Sequence, residues 1–141
     1  MGMTVAPVDL KRLVRIFYER IWGAHDLDLV TSLTREHFSF RGSLGTQSRG
    51  RAEFIDYVNS IHAALADYNC EIVELVAEDN KVFARMTFSG IHRGNFMGQP
   101  PTYKHIQWSG AAIFTFDQDR IADLWVLGDL HGLLLQLNGE K

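Results

Sequence analysis

The sequence of 141 residues holds one cysteine, three prolines and no long apolar run, and each scarcity closes off a class of protein. Cys70 alone can form no intrachain disulfide, and neither a thiolate zinc site nor a paired-cysteine redox motif can be assembled from it. A reducing cytoplasm is therefore the expected compartment. The longest stretch without charge or histidine, residues 106–116, is too short to span a bilayer and is broken by Gln107 and Ser109. The opening Met1-Gly2-Met3-Thr4-Val5-Ala6-Pro7 has no basic region, no apolar run and no Ser or Thr at position six. No targeting segment and no membrane partner are expected. Clustered positive charge is missing too: 14 Lys+Arg stand against 17 Asp+Glu, for a net charge of −3. Lys11, Arg12, Arg15, Arg20, Arg41, Arg49 and Arg51 are scattered, so no face is built to attract a phosphate backbone, and nucleic acid is not an expected partner. The six histidines show no His-Glu-x-x-His pattern, and there is neither a Gly-x-x-x-x-Gly-Lys loop nor a Gly-x-Ser-x-Gly elbow. No metal and no cofactor are expected.

What is present reads as one globular domain over residues 1–141, with a core from about 8 to 138, since 46% of residues are hydrophobic and 22% charged. Leu10, Leu13, Val14, Phe17 and Ile21 recur at helical spacing, which predicts an amphipathic helix over 9–22 ending at Gly23. Asp26 can cap a shorter helix through Leu27, Val30 and Leu33, after which residues 37–41 alternate as a strand. Residues 42–50 read as a Gly/Ser-rich loop, and Phe54, Val58, Ile61 and Leu65 mark a helix over 51–66. Beyond Tyr68 the period becomes two. Turn signals at 78–80, 94–102 and 117–119 separate strands at 69–77, 81–92, 103–116 and 120–127, followed by a helix carrying Leu130, Leu133, Leu134 and Leu137. Helices first and a long curved antiparallel sheet afterwards predict an α+β domain with a pocket between the N-terminal helices and the concave face.

Several stretches now carry a resemblance. Phe17-Tyr18-Glu19-Arg20-Ile21-Trp22 with His25-Asp26-Leu27-Asp28, the turn from Gly90 through Gly94 to Pro100-Pro101-Thr102, the hairpin Asp119-Arg120-Ile121-Ala122-Asp123-Leu124-Trp125 and the closing run from Asp129 to Leu137 together resemble SnoaL-like polyketide cyclases. The likeness runs from about Val14 to Asn138. It implies the nuclear-transport-factor-2-like cone, a curved α+β half-barrel that often dimerises through its sheet, and a cofactor-free intramolecular aldol closure of a polyketide ester. It also implies that Asp129, four residues after Trp125, is the acid/base residue. Tyr103 departs from the pattern, since many relatives place Gly after Pro-Pro-Thr.

Strand parity puts Asp129, Leu127, Trp125 and Asp123 on one face, so Trp125 faces a pocket if Asp129 does. A carboxylate beside Trp125 and Phe40 would be partly desolvated and a stronger base toward carbon activated by carbonyls. Alternatively Asp129 caps the last helix, a position that Asp favours. On the preceding strand His105, Gln107, Ser109, Ala111, Ile113 and Thr115 share a face. His105 and Gln107 there could hold a substrate carbonyl or enolate oxygen, or they could lie on an outer or dimer surface while Trp108, Phe114 and Phe116 line the cavity. Tyr18 and Trp22, one turn apart, are candidates for the pocket mouth, with packing as the alternative. His92 is expected to order its turn, and Cys70 to be a core or rim side chain. The expected ligand is a small, hydrophobic, carbonyl-bearing molecule bound by Asp129, His105, Gln107, Trp125, Phe40 and Tyr18, in a homodimer whose sheet contact uses Trp108 and Phe114 or their opposite-parity neighbours. An isomerase, dehydratase or hydrolase on the same pocket, or a non-catalytic ligand-binding or dimerisation module, are the other readings.

Overall fold

The computed structural model describes residues 9–139, and the opening segment discussed above lies outside them. Helix α1 (Leu10–Ile16) is capped by Asp9, whose carboxylate accepts the Arg12 N–H at 3.1 Å. It continues without a break as a π-helical segment over Phe17–Gly23, closed by the Ala24 N–H on the Glu19 carbonyl at 3.0 Å. The expected helix is therefore present, but its second half is wound more loosely. Two adjacent pairs, Phe17 with Tyr18 and Ile21 with Trp22, are buried there. Such π-turns often occur where a helix serves a site.

After α2 (Leu29–Leu33) the chain forms β1 (Thr34–Arg41), β2 (Gln47–Arg49), α3 (Arg51–Ala64), β3 (Leu65–Glu78), β4 (Lys81–His92), β5 (His105–Asp117), β6 (Arg120–Gly128) and α4 (Leu130–Leu137). The six strands make one curved, unclosed sheet in the order β2-β1-β6-β5-β4-β3. The last four strands form the expected antiparallel meander, while β1 lies parallel to β6. The α+β class read from the element order is the observed one. Residues 42–50 are not all loop, because they fold back so that Phe40 pairs with Ser48. This edge strand is short and polar, so no apolar alternation announced it. Helix α3 passes into β3 with no connecting loop. Strand β5 starts at His105 rather than 103, because Tyr103 takes a φ of +59°, a left-handed conformation glycine adopts freely.

The inner face of the sheet is built from one parity of each strand. Val82, Ala84, Met86 and Phe88 of β4, Ile106, Trp108, Ala112, Phe114 and Phe116 of β5, and Leu124 and Val126 of β6 are buried. Phe17 stacks on Phe54 of α3 at 5.8 Å and meets Phe114 edge-on at 5.4 Å, so both long helical segments close over this face. Burying each such side chain contributes about 1.5–3 kcal/mol. Trp108 and Phe114 thus belong to the interior, so of the two sets expected to make a sheet contact only their opposite-parity neighbours are placed to do so. Their opposite-parity neighbours face outward. Val76, Phe83, Ile113 and Trp125 pair in register across β3 to β6, and each is more than a third exposed.

Helix α4 covers the stretch of β5 that β6 is too short to reach. The Gln107 N–H donates to Gln136 Oε1 at 2.9 Å and Gln136 Nε2 donates to the Gln107 carbonyl at 2.6 Å. A side-chain amide thus replaces the missing strand. The Asp129 N–H adds a bond to the Ser109 carbonyl at 2.9 Å. In the long turn, fully buried His92 holds Thr102 by its Nδ1, 3.0 Å from Thr102 Oγ1 and 3.2 Å from the Thr102 N–H, an ordering role.

Candidate functional site

Between the π-segment, α3 and the inner face lies a narrow cavity of ≈ 20 Å³, room for about one water, within a lined space of ≈ 290 Å³ that includes open solvent. Each wall has an identifiable origin. The loosened helix turns both Tyr18 and Trp22 inward, and β1 contributes Phe40. Helix α3 contributes Tyr57, and the β1–β2 turn contributes Ser43. Cys70 and Phe88 are register partners on β3 and β4. A bulge in β3 between Ala66 and Asn69, with Asp67 at a φ of +52°, supplies one extra residue. It lets Leu65 and Tyr68, three residues apart, both point inward, where regular alternation would have sent one outside. Gly42 has its own packing reason, since a Cβ there would stand 2.5 Å from the Tyr57 hydroxyl.

The cavity is apolar apart from a group of hydroxyls and one thiol. Trp22 meets Tyr68 edge-on at 5.4 Å and Tyr57 at 5.9 Å, so it stands between two of the phenols. Burial pushes the Tyr18 and Tyr68 hydroxyls well above the usual tyrosine range, and the neighbouring Cys70 adds to both shifts. Burial likewise drives Tyr57 up to about 12 and Cys70 up to about 12. All four groups therefore stay protonated and neutral at ordinary pH. The Tyr18 hydroxyl is buried and finds no partner among the described residues. Neutral donors in a dry site are suited to an uncharged oxygen that gains negative charge during reaction.

The residues expected to bind substrate divide sharply. Tyr18 and Phe40 stand on the cavity wall. His105, Gln107 and Trp125 do not: all three are exposed on the opposite face of the sheet, which corrects the expectation that they share the concave side with Asp129. The reason is packing, because the even positions of β5 carry the aromatics that the helices bury, and strand parity then forces His105 and Gln107 outward. Trp125 instead lies beneath the Arg41 guanidinium, 5.5 Å from its ring centre. Asp129 is exposed and caps α4, its Oδ1 accepting the Gly132 N–H at 3.0 Å. It stands next to the cavity edge rather than in it, since Gly128 abuts Ser43: a Cβ on Gly128 would come within 2.8 Å of the Ser43 carbonyl.

Tyr57, Tyr68 and Ser43 were missed from sequence. Tyr57 follows Phe54 by three residues on α3 and Tyr68 precedes Cys70 by two, but the bulge hides the parity that would have paired them. His25 and His62 stack face to face at 4.1 Å behind Trp22, outside the cavity lining. Burial first, and then the adjacent His25, lower the affinity of His62 for its proton. No group of three His, Cys, Asp or Glu side chains among the described residues could hold a metal ion, and no helix is long and apolar enough to cross a membrane.

With this geometry in hand, comparison with known proteins is informative. The family model for SnoaL-like polyketide cyclases matches residues 12–137. The chain belongs to this family. Among solved structures, a SnoaL-like polyketide cyclase from Agrobacterium tumefaciens is 20% identical with a TM-score of 0.76, covering 91% of this chain and 97% of its own. A candidate polyketide cyclase from Acidithiobacillus ferrooxidans is 22% identical with a TM-score of 0.83, covering 99% of this chain and 100% of its own. TsrD from Streptomyces laurentii gives 22% and 0.83, with 95% and 98% covered. At these identities the structural likeness establishes the fold of this family member. No curated protein matches the chain.

Proposed function

We propose that this SnoaL-like protein closes a ring in a small, apolar, carbonyl-bearing substrate by a cofactor-free aldol-type reaction, with Asp129 as acid/base group. The observation that carries this reading is the cavity itself, apolar in its walls and furnished with neutral hydroxyl donors. In the proposed step the Asp129 carboxylate leaves the Gly132 N–H, turns toward the Ser43 edge and removes a proton from carbon flanked by carbonyls. The resulting enolate carbon attacks a second carbonyl carbon of the same molecule, forming the new C–C bond. The alkoxide so produced takes the proton back. Phe40 and Tyr18 contact the substrate in this scheme, and family membership supports Asp129 as the proton carrier.

The test is Asp129→Asn. Asn keeps the shape and caps a helix about as well as Asp, but it cannot take up a proton. Turnover should fall about a hundred- to ten-thousand-fold with folding intact. Unchanged turnover would remove the assignment. A second reading, a ligand-binding module without turnover, has one observation in its favour, namely that Asp129 is engaged as a cap and exposed. It requires that wild type and Asp129→Asn bind alike and that neither converts the ligand.

The proposed partner is a second copy of the chain. The outward row Val76, Phe83, Ile113 and Trp125 leaves an apolar band on the sheet that association would cover.

A further inference from the structure

We propose that the ring stack formed by Trp22, His62 and His25 is a latch behind the cavity, and that proton uptake by His62 releases it and opens the cavity to an organic ligand in mild acid. This deepens the ring-closing reading and rests on the cavity being its substrate site.

A space of ≈ 20 Å³ holds about one water, so a wall has to move before any organic molecule can enter. Two of the walls lean on one titratable ring. Trp22 lies nearly parallel to the His62 imidazole, at 17° with ring centres 6.3 Å apart, and Tyr68 meets the same ring edge-on at 6.0 Å. His25 stacks on it at 4.1 Å and 5°. His62 comes from the last turn of α3 and His25 from the connection that leaves the π-segment, so the stack ties these two parts of the chain together. The tie has a second strand, since His25 Nε2 lies 2.8 Å from Oδ1 of Asn59, also on α3. His25 takes a φ of +58°, an uncommon backbone for a residue with a side chain, and the stack and the Asn59 bond hold it there.

A proton on His62 does not suit this arrangement. The charged and titratable groups that face the ring are His25, the Tyr68 phenol from β3, and Arg93 from the turn after β4, whose guanidinium donates to the His62 carbonyl. None of the three is a carboxylate that could balance the charge. In an imidazolium both ring nitrogens carry hydrogen, and His62 Nε2 is buried with no partner among the described residues. Its N–H would be a charged donor without an acceptor, 4.1 Å from a second ring that also takes up protons. Burial first, and then His25, lower the proton affinity of His62 accordingly.

His62 therefore takes up its proton by leaving the stack, and uptake draws the chain toward the open arrangement. A released imidazole has its midpoint at about 6.5. With the stacked ring unprotonated over this range, the ratio of open to latched protein rises about tenfold from pH 7.5 to pH 5.5 and hardly changes above pH 7.5.

The experiment takes two readouts from the full chain at these two pH values. Hydrogen exchange at the Ala24 and Asp26 amides, which bond the Glu19 and Arg20 carbonyls at 3.0 and 2.9 Å, reports release of the connection. Reaction of Cys70, on the cavity wall, with the neutral reagent dipyridyl disulfide reports entry of an organic molecule, its rate taken relative to glutathione at the same pH. From pH 7.5 to pH 5.5, protection corrected for intrinsic exchange should fall about tenfold and the relative Cys70 rate should rise about tenfold, while amides of β4 and β5 keep their protection. His62→Gln, which has no proton to gain, should remove the pH response from both readouts. A response that is absent in the wild type, retained in His62→Gln, shared by the β4 and β5 amides, or confined to exchange with Cys70 unchanged would each overturn the proposal. If His62→Gln failed to fold, NMR titration of the His62 ring hydrogens in the wild type would decide, a midpoint at or above 6.5 overturning the latch. Neither readout involves turnover, so failure here leaves the ring-closing reading to its own test in Asp129→Asn, and loss of that reading leaves the pH response standing.

Discussion

Replacing Tyr18 by Phe should stabilise the empty protein. The substitution removes one atom, a hydroxyl that is buried and unpartnered among the described residues, and leaves the ring in its edge-on contacts with Phe17 and Phe114. A buried polar group without a partner costs about 1–3 kcal/mol, and the cavity left by one oxygen offsets part of the gain, so a net stabilisation of about 1–2 kcal/mol is expected. For a chain of this length, that corresponds to a rise in Tm of about 3–7 °C. Chemical denaturation with an unchanged m-value, together with differential scanning calorimetry, would measure it. A fall in stability would refute the reasoning, because it would mean that the hydroxyl already has a partner in the empty protein.

Three further outcomes follow from the surface, the thiol and the buried phenol. Wild-type protein should be a dimer by light scattering at micromolar concentration, and Trp125→Glu, which places a charge in the outward apolar row, should shift it to monomer; a monomeric wild type would refute the sheet contact. Cys70 should react with iodoacetamide at pH 8 at least about a hundredfold more slowly than a free thiol, because its pKa of about 12 leaves almost no thiolate. The folded state binds the Cys70 and Tyr57 protons more tightly than the unfolded chain does. The stability these groups contribute is therefore complete below about pH 9 and declines as pH rises toward 12, which alkaline denaturation curves would register.

The fold was largely legible because it rests on periodicity. Strands β4, β5 and β6, helices α3 and α4, and α1 with its π-helical continuation each carry an apolar repeat over at least eight residues, and burial enforces that repeat. Strand β2 has three polar residues at an edge and nothing to bury, so its sequence looked like the loop around it. The site was less legible for a different reason. Parity tells which residues share a face but not which face turns inward, and on β5 the polar set His105, Gln107 and Ser109 competed with Trp108, Phe114 and Phe116 for the interior. Bulk decided the matter, since two long helical segments need large apolar surface beneath them. Tyr18 and Trp22 were visible as a pair, whereas their joint burial with Phe17 and Ile21 depends on the π-turn, whose backbone hydrogen bonds leave no clear mark in the residues. Tyr68 was hidden by a bulge centred on Asp67, a single left-handed residue that reverses the parity of what precedes it.

Helix capping, which the structure shows for Asp129, and the proton transfer proposed for it are energetically compatible. An N-cap bond contributes about 0.5–2 kcal/mol to a helix, an amount that contact with a bound ligand can replace. Gly132 is what allows the carboxylate to lie over the helix start, since any Cβ there would collide with Asp129 Oδ2. Helix α4 does not depend on that cap alone. It is also held by Gln136 on the backbone of Gln107, by the Asp129 N–H on Ser109 and by burial of Leu133 and Leu137. The carboxylate can therefore leave the Gly132 N–H without undocking the helix that carries it. On this view the cap stores the base outside a cavity whose own groups are all neutral. Keeping the charge there leaves the interior free of an unpaired carboxylate until a substrate supplies both the proton to be moved and the contacts that replace the cap.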